Sequence, residues 1–370
     1  MGVHPSFLRA VALPLLALAL AAAGCQPRRP TLQAPGLTGP ATAFLDPHVE
    51  MEDVLEEMRI LAHDSMQGRL TGTPGMHRAS RYLAARFRHW GLDPAGDDGY
   101  LQNLPLAWSE SGGRGRLQLL NAWSDTVAVP ADRRARGVNV VGIIRGSDPE
   151  LRHQVVLFDA HYDHLGHAAM GRCRAAGADS ICNGADDDAS GVVAVLEIAR
   201  DFARGPRPRR TAVFLLTTGE ELGLLGTRWF IAHPVVSLDS MVANLEVEMI
   251  GRPDSLAGGR GKAWLTGYER STMGDMLSSA GIQIIADPRP AQNFFARSDN
   301  IAFAMRGIPA HTLSSFNLHA DYHTVHDDAS RIDYGHMLEV IRSGVRAARL
   351  LTDGPAPVWK PGGRPDPNSR

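Results

Sequence analysis

Charge of one sign is what this chain most plainly lacks. Its 38 lysines and arginines stand against 40 aspartates and glutamates, so no net field draws it to nucleic acid or to an anionic membrane surface. Long apolar runs are missing too once the first two dozen residues are passed. None reaches the roughly 18 uninterrupted apolar residues that a membrane helix needs. No internal repeat is visible, which excludes a repeat array, and no linker composition interrupts residues 45–352. Cysteine is scarce: Cys25, Cys173 and Cys182 are the three in 370 residues.

What is present at the N-terminus is an export signal. Residues 1–25 run from His4 and Arg9 through an apolar core, Ala10 to Ala23, to Gly24-Cys25. The stretch Leu20-Ala21-Ala22-Ala23-Gly24-Cys25 resembles a bacterial lipobox, with Ala22 where leucine is usual. Acylation of Cys25 would tether the exported protein to a membrane surface without spanning it. The Pro- and Thr-rich residues 26–44 read as a tether. In an oxidising compartment Cys173 and Cys182, in one loop, suit a small disulfide ring; zinc ligation is the rival reading.

The whole chain is 44% hydrophobic and 21% charged, enough for a sizeable core. Helical spacing covers Glu50 to Ala62. Thr73-Pro74 supplies a cap and first position for a helix that stops at Gly91. Strand patterns follow at Leu117 to Leu120, Thr126 to Val129, Val138 to Ile144, Val155 to Phe158, Ala212 to Thr217, Met241 to Val247, Lys262 to Thr266 and Ile308 to Leu313. Helices are expected over Val192 to Phe202, Leu224 to His233, Ser271 to Ala280 and Tyr334 to Leu351. Strands alternating with helices predict an α/β fold, three layers α/β/α around a mostly parallel sheet. Residues 45–352 make one domain, and 353–370, rich in Pro and Gly, a disordered tail.

The chemistry gathers where strands end, which in open α/β sheets is where ligands bind. Val155 to Phe158 delivers Asp159, His161, Asp163 and His164. Asp187 precedes a helix, Glu220-Glu221 and Glu248 follow strands, and His319, His323 and His326 share a late loop. Each alone is weak, since a lone H-x-D is usually structural and acidic turns are usually solvated. Several carboxylates on one sheet edge would repel unless cations lie among them.

The ordered set His161-x-Asp163, Gly184-Ala185-x-Asp187-x-Ala189-Ser190-Gly191, Gly219-Glu220-Glu221-x-Gly223-Leu224-Leu225-Gly226, Glu248-Met249-Ile250-Gly251 and Tyr322-His323-Thr324 resembles the co-catalytic zinc aminopeptidase family. That family takes in aminopeptidase Y, bacterial leucyl aminopeptidases, glutamate carboxypeptidase II and the glutaminyl cyclases. The resemblance spans roughly residues 50–350 and implies the zinc-exopeptidase (phosphorylase/hydrolase-like) fold. It implies two zinc ions: His161 and Glu248 on one, Glu221 and His323 on the other, and Asp187 bridging them. Glu220 is then the general base for a metal-bridged hydroxide, and Asp163 orients the imidazole of His161. Glu248 stands where many members have Asp. Asp186 and Asp188 are expected as loop or cap residues, and His319 and His326 as non-ligands. The loops Asp287 to Arg297 and Ser314 to His319 are expected to line the pocket, with Phe294, Phe295 and Phe316 as an apolar wall.

The expectation is a membrane-tethered metallopeptidase that removes N-terminal residues from peptides or proteins and has no nucleic-acid partner. The alternatives are a glutaminyl cyclase or a carboxypeptidase on the same fold, or a non-catalytic binding lipoprotein. The interval Tyr100 to Gly137 is too short for the extra domain that the carboxypeptidase branch usually carries.

Overall fold

The computed structural model describes residues 47–111, 114–170 and 172–366. Cys25, the export signal of residues 1–25 and the tether of residues 26–44 lie outside the described residues.

Two helices lead, α1 (Met51–Leu61) and α2 (Pro74–Trp90). The Thr73 hydroxyl caps α2 by accepting the Met76 N–H, Pro74 sits where no donor is needed, and Gly91 ends the helix at φ 75°. Strands β1 (Asp93–Pro94), β2 (Leu101–Ser111), β3 (Arg114–Leu119), β4 (Arg134–Ile144) and β5 (Val155–His161) follow. After a small ribbon, β6 (Gly166–His167) with β7 (Ile181–Cys182), come α3 (Gly191–Arg204), β8 (Thr211–Thr217), α4 (Leu225–Ala232) and β9 (Met241–Val247). The chain closes with β10 (Ala263–Leu265), α5 (Met273–Ser279), β11 (Ile284–Ala286), α6 (Asn300–Met305), β12 (Ala310–Ser314) and α7 (Tyr334–Asp353).

The large sheet runs β11-β10-β12-β9-β5-β8-β4-β2-β3, with β1 beside β4. Its centre is parallel: β5 pairs with β8 and β9, and β9 with β12. The flank from β4 to β3 is antiparallel, so the sheet is mixed as a whole. Along β5, Val156, Phe158 and Ala160 join the core shared with α1, α2, α3 and α7. Val155 and Leu157 face the opposite core, with Phe230 of α4 and Phe303 of α6. Burial on both faces explains why the central strands read as unbroken apolar runs.

Two expectations are corrected. Thr126 to Val129 is not a strand; the Thr126 hydroxyl donates to the Trp123 carbonyl at 2.6 Å and the segment coils into a short helical turn. The tail beyond Asp353 is not disordered as far as residue 366. Trp359 has apolar area to bury and an indole N–H that donates to the Gly307 carbonyl at 2.8 Å. Main-chain bonds from Thr272 to Val358 and from Lys360 to Arg270, both 2.9 Å, fix the strip beside it. Among the described residues no helix is long and apolar enough to cross a membrane.

Candidate active site at the carboxyl edge of the sheet

Because β9, β5 and β8 are adjacent and parallel, their carboxyl ends open on one edge. His161 ends β5, Glu248 follows β9, and Glu220-Glu221 sit in the turn after β8. β12 is parallel to β9, and the loop after it brings His323 to the same edge. Asp187 arrives from the turn Ala185–Ser190 that leads into α3.

His161 Nε2 lies 3.2 Å from Asp187 Oδ1 and 3.9 Å from Glu248 Oε1. On the other side of Asp187, His323 Nε2 lies 3.1 Å from Oδ2 and 3.4 Å from Glu221 Oε2. Two donor groups therefore meet at one shared carboxylate. His164, fully buried, adds a third imidazole, with Nδ1 2.9 Å from Glu221 Oε1 and 3.7 Å from Asp187 Oδ2. The sequence showed His164 beside the H-x-D motif but gave no reason to aim it at Glu221. That contact depends on how the chain turns after β5.

These contacts are short, yet His161 Nε2, His164 Nδ1, Asp187 Oδ2, Glu221 Oε1 and His323 Nε2 are buried atoms without a hydrogen bond of proper direction. The atoms point past one another toward common foci. Tetrahedral zinc with bonds near 2.0–2.1 Å would separate its donor atoms by about 3.3 Å, close to the 3.1–3.4 Å found for His161–Asp187, His323–Asp187 and His323–Glu221. Imidazole and carboxylate donors are the mixture zinc takes. The residues fit the ions that the motifs imply.

Charge sets the protonation pattern. Burial alone would raise Asp187, but the imidazoles of His164, His161 and His323 outweigh it and hold the carboxylate well below its usual range. Glu221 is opposed by burial and by Asp187, yet falls to about 2 because His164 and His323 face it. Glu220 goes the other way. Burial pushes it well above the carboxylate range; Glu221 and Glu248 add to this, and His161 resists. Glu220 lines the pocket beside Asp187, Glu221, Glu248 and His323.

The carboxylate of Asp163 does not hold the His161 ring. His161 Nδ1 meets the Asp163 main-chain carbonyl at 3.2 Å, while Asp163 Oδ1 stays 3.9 Å away. The strand ends at His161, so the alternation of side chains along a strand does not govern where Asp163 points. Asp163 instead accepts the Thr71 hydroxyl at 3.0 Å and the Glu220 N–H at 3.2 Å, and so fixes the backbone of the Glu220 turn.

A ring of buried polar groups shapes the Asp187 turn. Asp327 accepts the N–H groups of Asp186 and Asp187 at 2.9 and 3.0 Å. Asp188 accepts those of Gly191 and Met249 at 2.9 and 3.0 Å, and Asp186 binds the Gly251 N–H and His319 Nε2 at 2.7 and 3.0 Å. Asp186, Asp188 and His319 thus brace loops, while His326 is exposed. At Gly184 (φ 55°) a Cβ would come within 2.2 Å of the Asp187 carbonyl and 2.5 Å of the His164 ring, so only glycine fits. A second acidic group, Asp159 with Glu246 and Asp299, is wholly buried nearby. Burial raises all three, Glu246 to about 8, and four donors from Ser298, Asp299, Asn300 and Thr312 surround Glu246.

Cys173 and Cys182 form a disulfide. The bridge packs with Leu165 and Val325, two residues beyond His323, and the Val325 N–H reaches the Arg174 carbonyl at 3.4 Å. Phe294 and Phe316 line the pocket as expected; Phe295 does not, being buried among Phe303, Ile308 and Ala310.

A family profile described as peptidase family M28 matches residues 139–346, more than half of the chain. A vacuolar membrane protease of Tuber melanosporum (strain Mel28) is 28% identical over 230 residues, 60% of this chain but 22% of that protein. The chain thus spans about a fifth of the length of that relative. An aminopeptidase from Aneurinibacillus sp. strain AM-1 superposes with a TM-score of 0.61 at 14% identity, over 84% of this chain and 96% of that one. A zinc aminopeptidase from Bacillus subtilis gives 0.59 at 14% identity, over 83% and 96%. Porphyromonas gingivalis glutaminyl cyclase gives 0.56 at 16% identity, over 81% and 97%. At such identities the likeness concerns the fold alone.

Proposed function

The chain belongs to peptidase family M28, and from that premise we propose that it is a two-zinc aminopeptidase. The observation that carries this reading is the pair of donor groups, His161/Glu248 and His323/Glu221, that face one shared carboxylate, Asp187. A single-zinc cyclase would have no use for both groups. Zinc bound there supplies a Lewis acid that acidifies water and polarises a carbonyl.

The chain's own residues do the rest. Asp187 ties the two groups together, and Asp327 fixes it from behind through the N–H groups of residues 186 and 187. His164 lies against Glu221, with Nδ1 2.9 Å from Oε1, and adds a third imidazole to the acidic cluster. Glu220, positioned through its N–H by Asp163, takes the proton of the attacking water at a carboxylate oxygen and delivers it to the nitrogen of the leaving amine. The wall of Trp264, Phe294, Phe316 and Tyr322 keeps water from the substrate side chain. We further infer export and a lipid tether at Cys25, in keeping with a relative named a membrane protease. Incorporation of labelled fatty acid, abolished in Cys25→Ala, is the expected result.

The test of activity is a panel of aminoacyl anilides, each paired with its N-acetyl form, assayed with and without chelator alongside metal analysis. Chelator-sensitive cleavage of free-amine substrates alone, with two zinc ions per chain, is expected. Two bound ions with no cleavage of any member would overturn the aminopeptidase reading in favour of a cyclase or carboxypeptidase. Absence of both metal and cleavage would leave a binding protein.

A further inference from the structure

We propose that Arg297 makes this pocket a reader of a substrate carboxylate close to the scissile bond. The inference rests on the peptidase reading above and deepens it to a substrate class.

Arg297 is the one lysine or arginine among the described residues that lines the pocket. Its guanidinium carbon lies 5.0 Å from the centre of the Phe294 ring. That ring stacks on Trp264 at 5.2 Å and meets Phe316 edge-on at 5.8 Å. Phe316 meets Tyr322 at 5.1 Å, and Tyr322 stacks on His323 at 3.7 Å. An unbroken aromatic surface therefore runs from the guanidinium to the donor groups. Stacking on a ring fixes the plane of an arginine and leaves its edge donors free.

Those donors have no hydrogen-bonded or ion-paired partner among the described residues. Neighbouring arginines behave differently: Arg252 is paired with Asp321 and Arg289 with Asp254. Arg297 does not turn onto the pocket's own carboxylates, which face the imidazoles instead. Other polar groups of the wall are committed. Thr312 Oγ1 donates to Glu246 at 2.7 Å and Ser314 Oγ to the Met249 carbonyl at 3.3 Å. A planar guanidinium with free edge donors matches a carboxylate in both charge and shape.

That carboxylate has two sources: an acidic side chain on the residue being released, or the free α-carboxylate of a dipeptide. The experiment compares glutamyl with glutaminyl anilide, and leucyl-alanine with leucyl-alanine amide. It uses the zinc-loaded protein and its Arg297→Ala and Arg297→Lys variants. Binding of L-glutamate against L-glutamine is followed by calorimetry as a readout that needs no turnover. The expected result is a preference of ~10-fold or more for the carboxylate member of one pair. It should be expressed in KM, collapse toward unity in Arg297→Ala and be partly kept in Arg297→Lys. The responding pair identifies the source. A wild-type ratio near one, or a preference that survives Arg297→Ala, overturns the inference. Cleavage of neutral substrates without carboxylate preference removes this inference and leaves the aminopeptidase reading intact. Arg297-dependent glutamate binding without cleavage does the reverse.

Discussion

Arg69 offers the sharpest test of how the site is held. It is fully buried, and its guanidinium donates to four main-chain carbonyls: Leu61, Tyr162 and Asn183 at 2.6 Å and Gly184 at 2.8 Å. These belong to the end of α1, the His161–His164 turn and the approach to Asp187, so one side chain ties together the two loops that carry His161, His164 and Asp187. Replacement by methionine, of similar length, leaves four carbonyls short of a donor. Each buried polar group so stranded costs about 1–3 kcal/mol. Relief of a buried cation returns several kcal/mol, and Gly184 keeps a bond from the Ala189 N–H. The net expectation is a loss of about 2–4 kcal/mol in urea unfolding of the metal-stripped protein. Zinc affinity should weaken in parallel. Arg69→Lys keeps the charge but has three donors in a different geometry, so it should recover only part. If Arg69→Met unfolds within about 1 kcal/mol of wild type and binds zinc as tightly, the carbonyl clamp does not organise the site.

Glu220→Gln should retain both zinc ions by metal analysis and lose roughly 10²- to 10⁴-fold in kcat; wild-type turnover in the loaded variant would remove Glu220 from the proton path. Cys173→Ser with Cys182→Ser opens a bridge with a sequence separation of 9, worth roughly 3 kcal/mol by loop entropy. Because Val325 rests on that bridge, zinc at the His323 group should weaken in chelator competition more than zinc at the His161 group; equal weakening would contradict this. Between α1, α2 and α3, burial raises Glu57 to about 7 against the pull of Arg86, and raises Glu197 to about 8 with the charge of Glu57 adding to it. Folded pKa values above the unfolded ones mean that the folded state holds the protons more tightly. This stability is therefore complete below about pH 4 and is lost as pH rises through 7 to 8. The loss runs at up to about 1.4 kcal/mol per pH unit per carboxyl. Glu197→Gln should flatten that decline between pH 6 and 9 in denaturant titrations, and an unchanged slope would refute the assignment.

Much of the architecture was legible because the signals were local. Val155 to Phe158, Ala212 to Thr217 and Met241 to Val247 are continuous apolar runs, since strands covered on both faces need no polar side. Thr73-Pro74 and Gly91 mark the ends of α2 through the donors that a helix leaves unpaired. Strand β2 went unread because its Leu101 to Ser111 stretch mixes Gln, Asn and Pro with apolar residues on an antiparallel flank. Thr126 to Val129 misled because β-branched residues also suit a turn when a hydroxyl can bond backward.

The sequence by itself determined the order and types of the residues at the strand ends, and so the chemistry on offer: imidazoles and carboxylates on one sheet edge. Parallel pairing of β9, β5 and β8 follows from the alternation of strand and helix, and it guarantees that those ends coincide. Only the tertiary structure decided direction. It turned the Asp163 carboxylate to Thr71 and the Glu220 N–H and brought His164 onto Glu221. It also left Arg297 stacked on Phe294 with its donors free. Beyond the last strand residue no periodicity governs where a side chain points. There the outcome is set by which buried polar atoms find partners once the loops close, and those partners are distant in the chain.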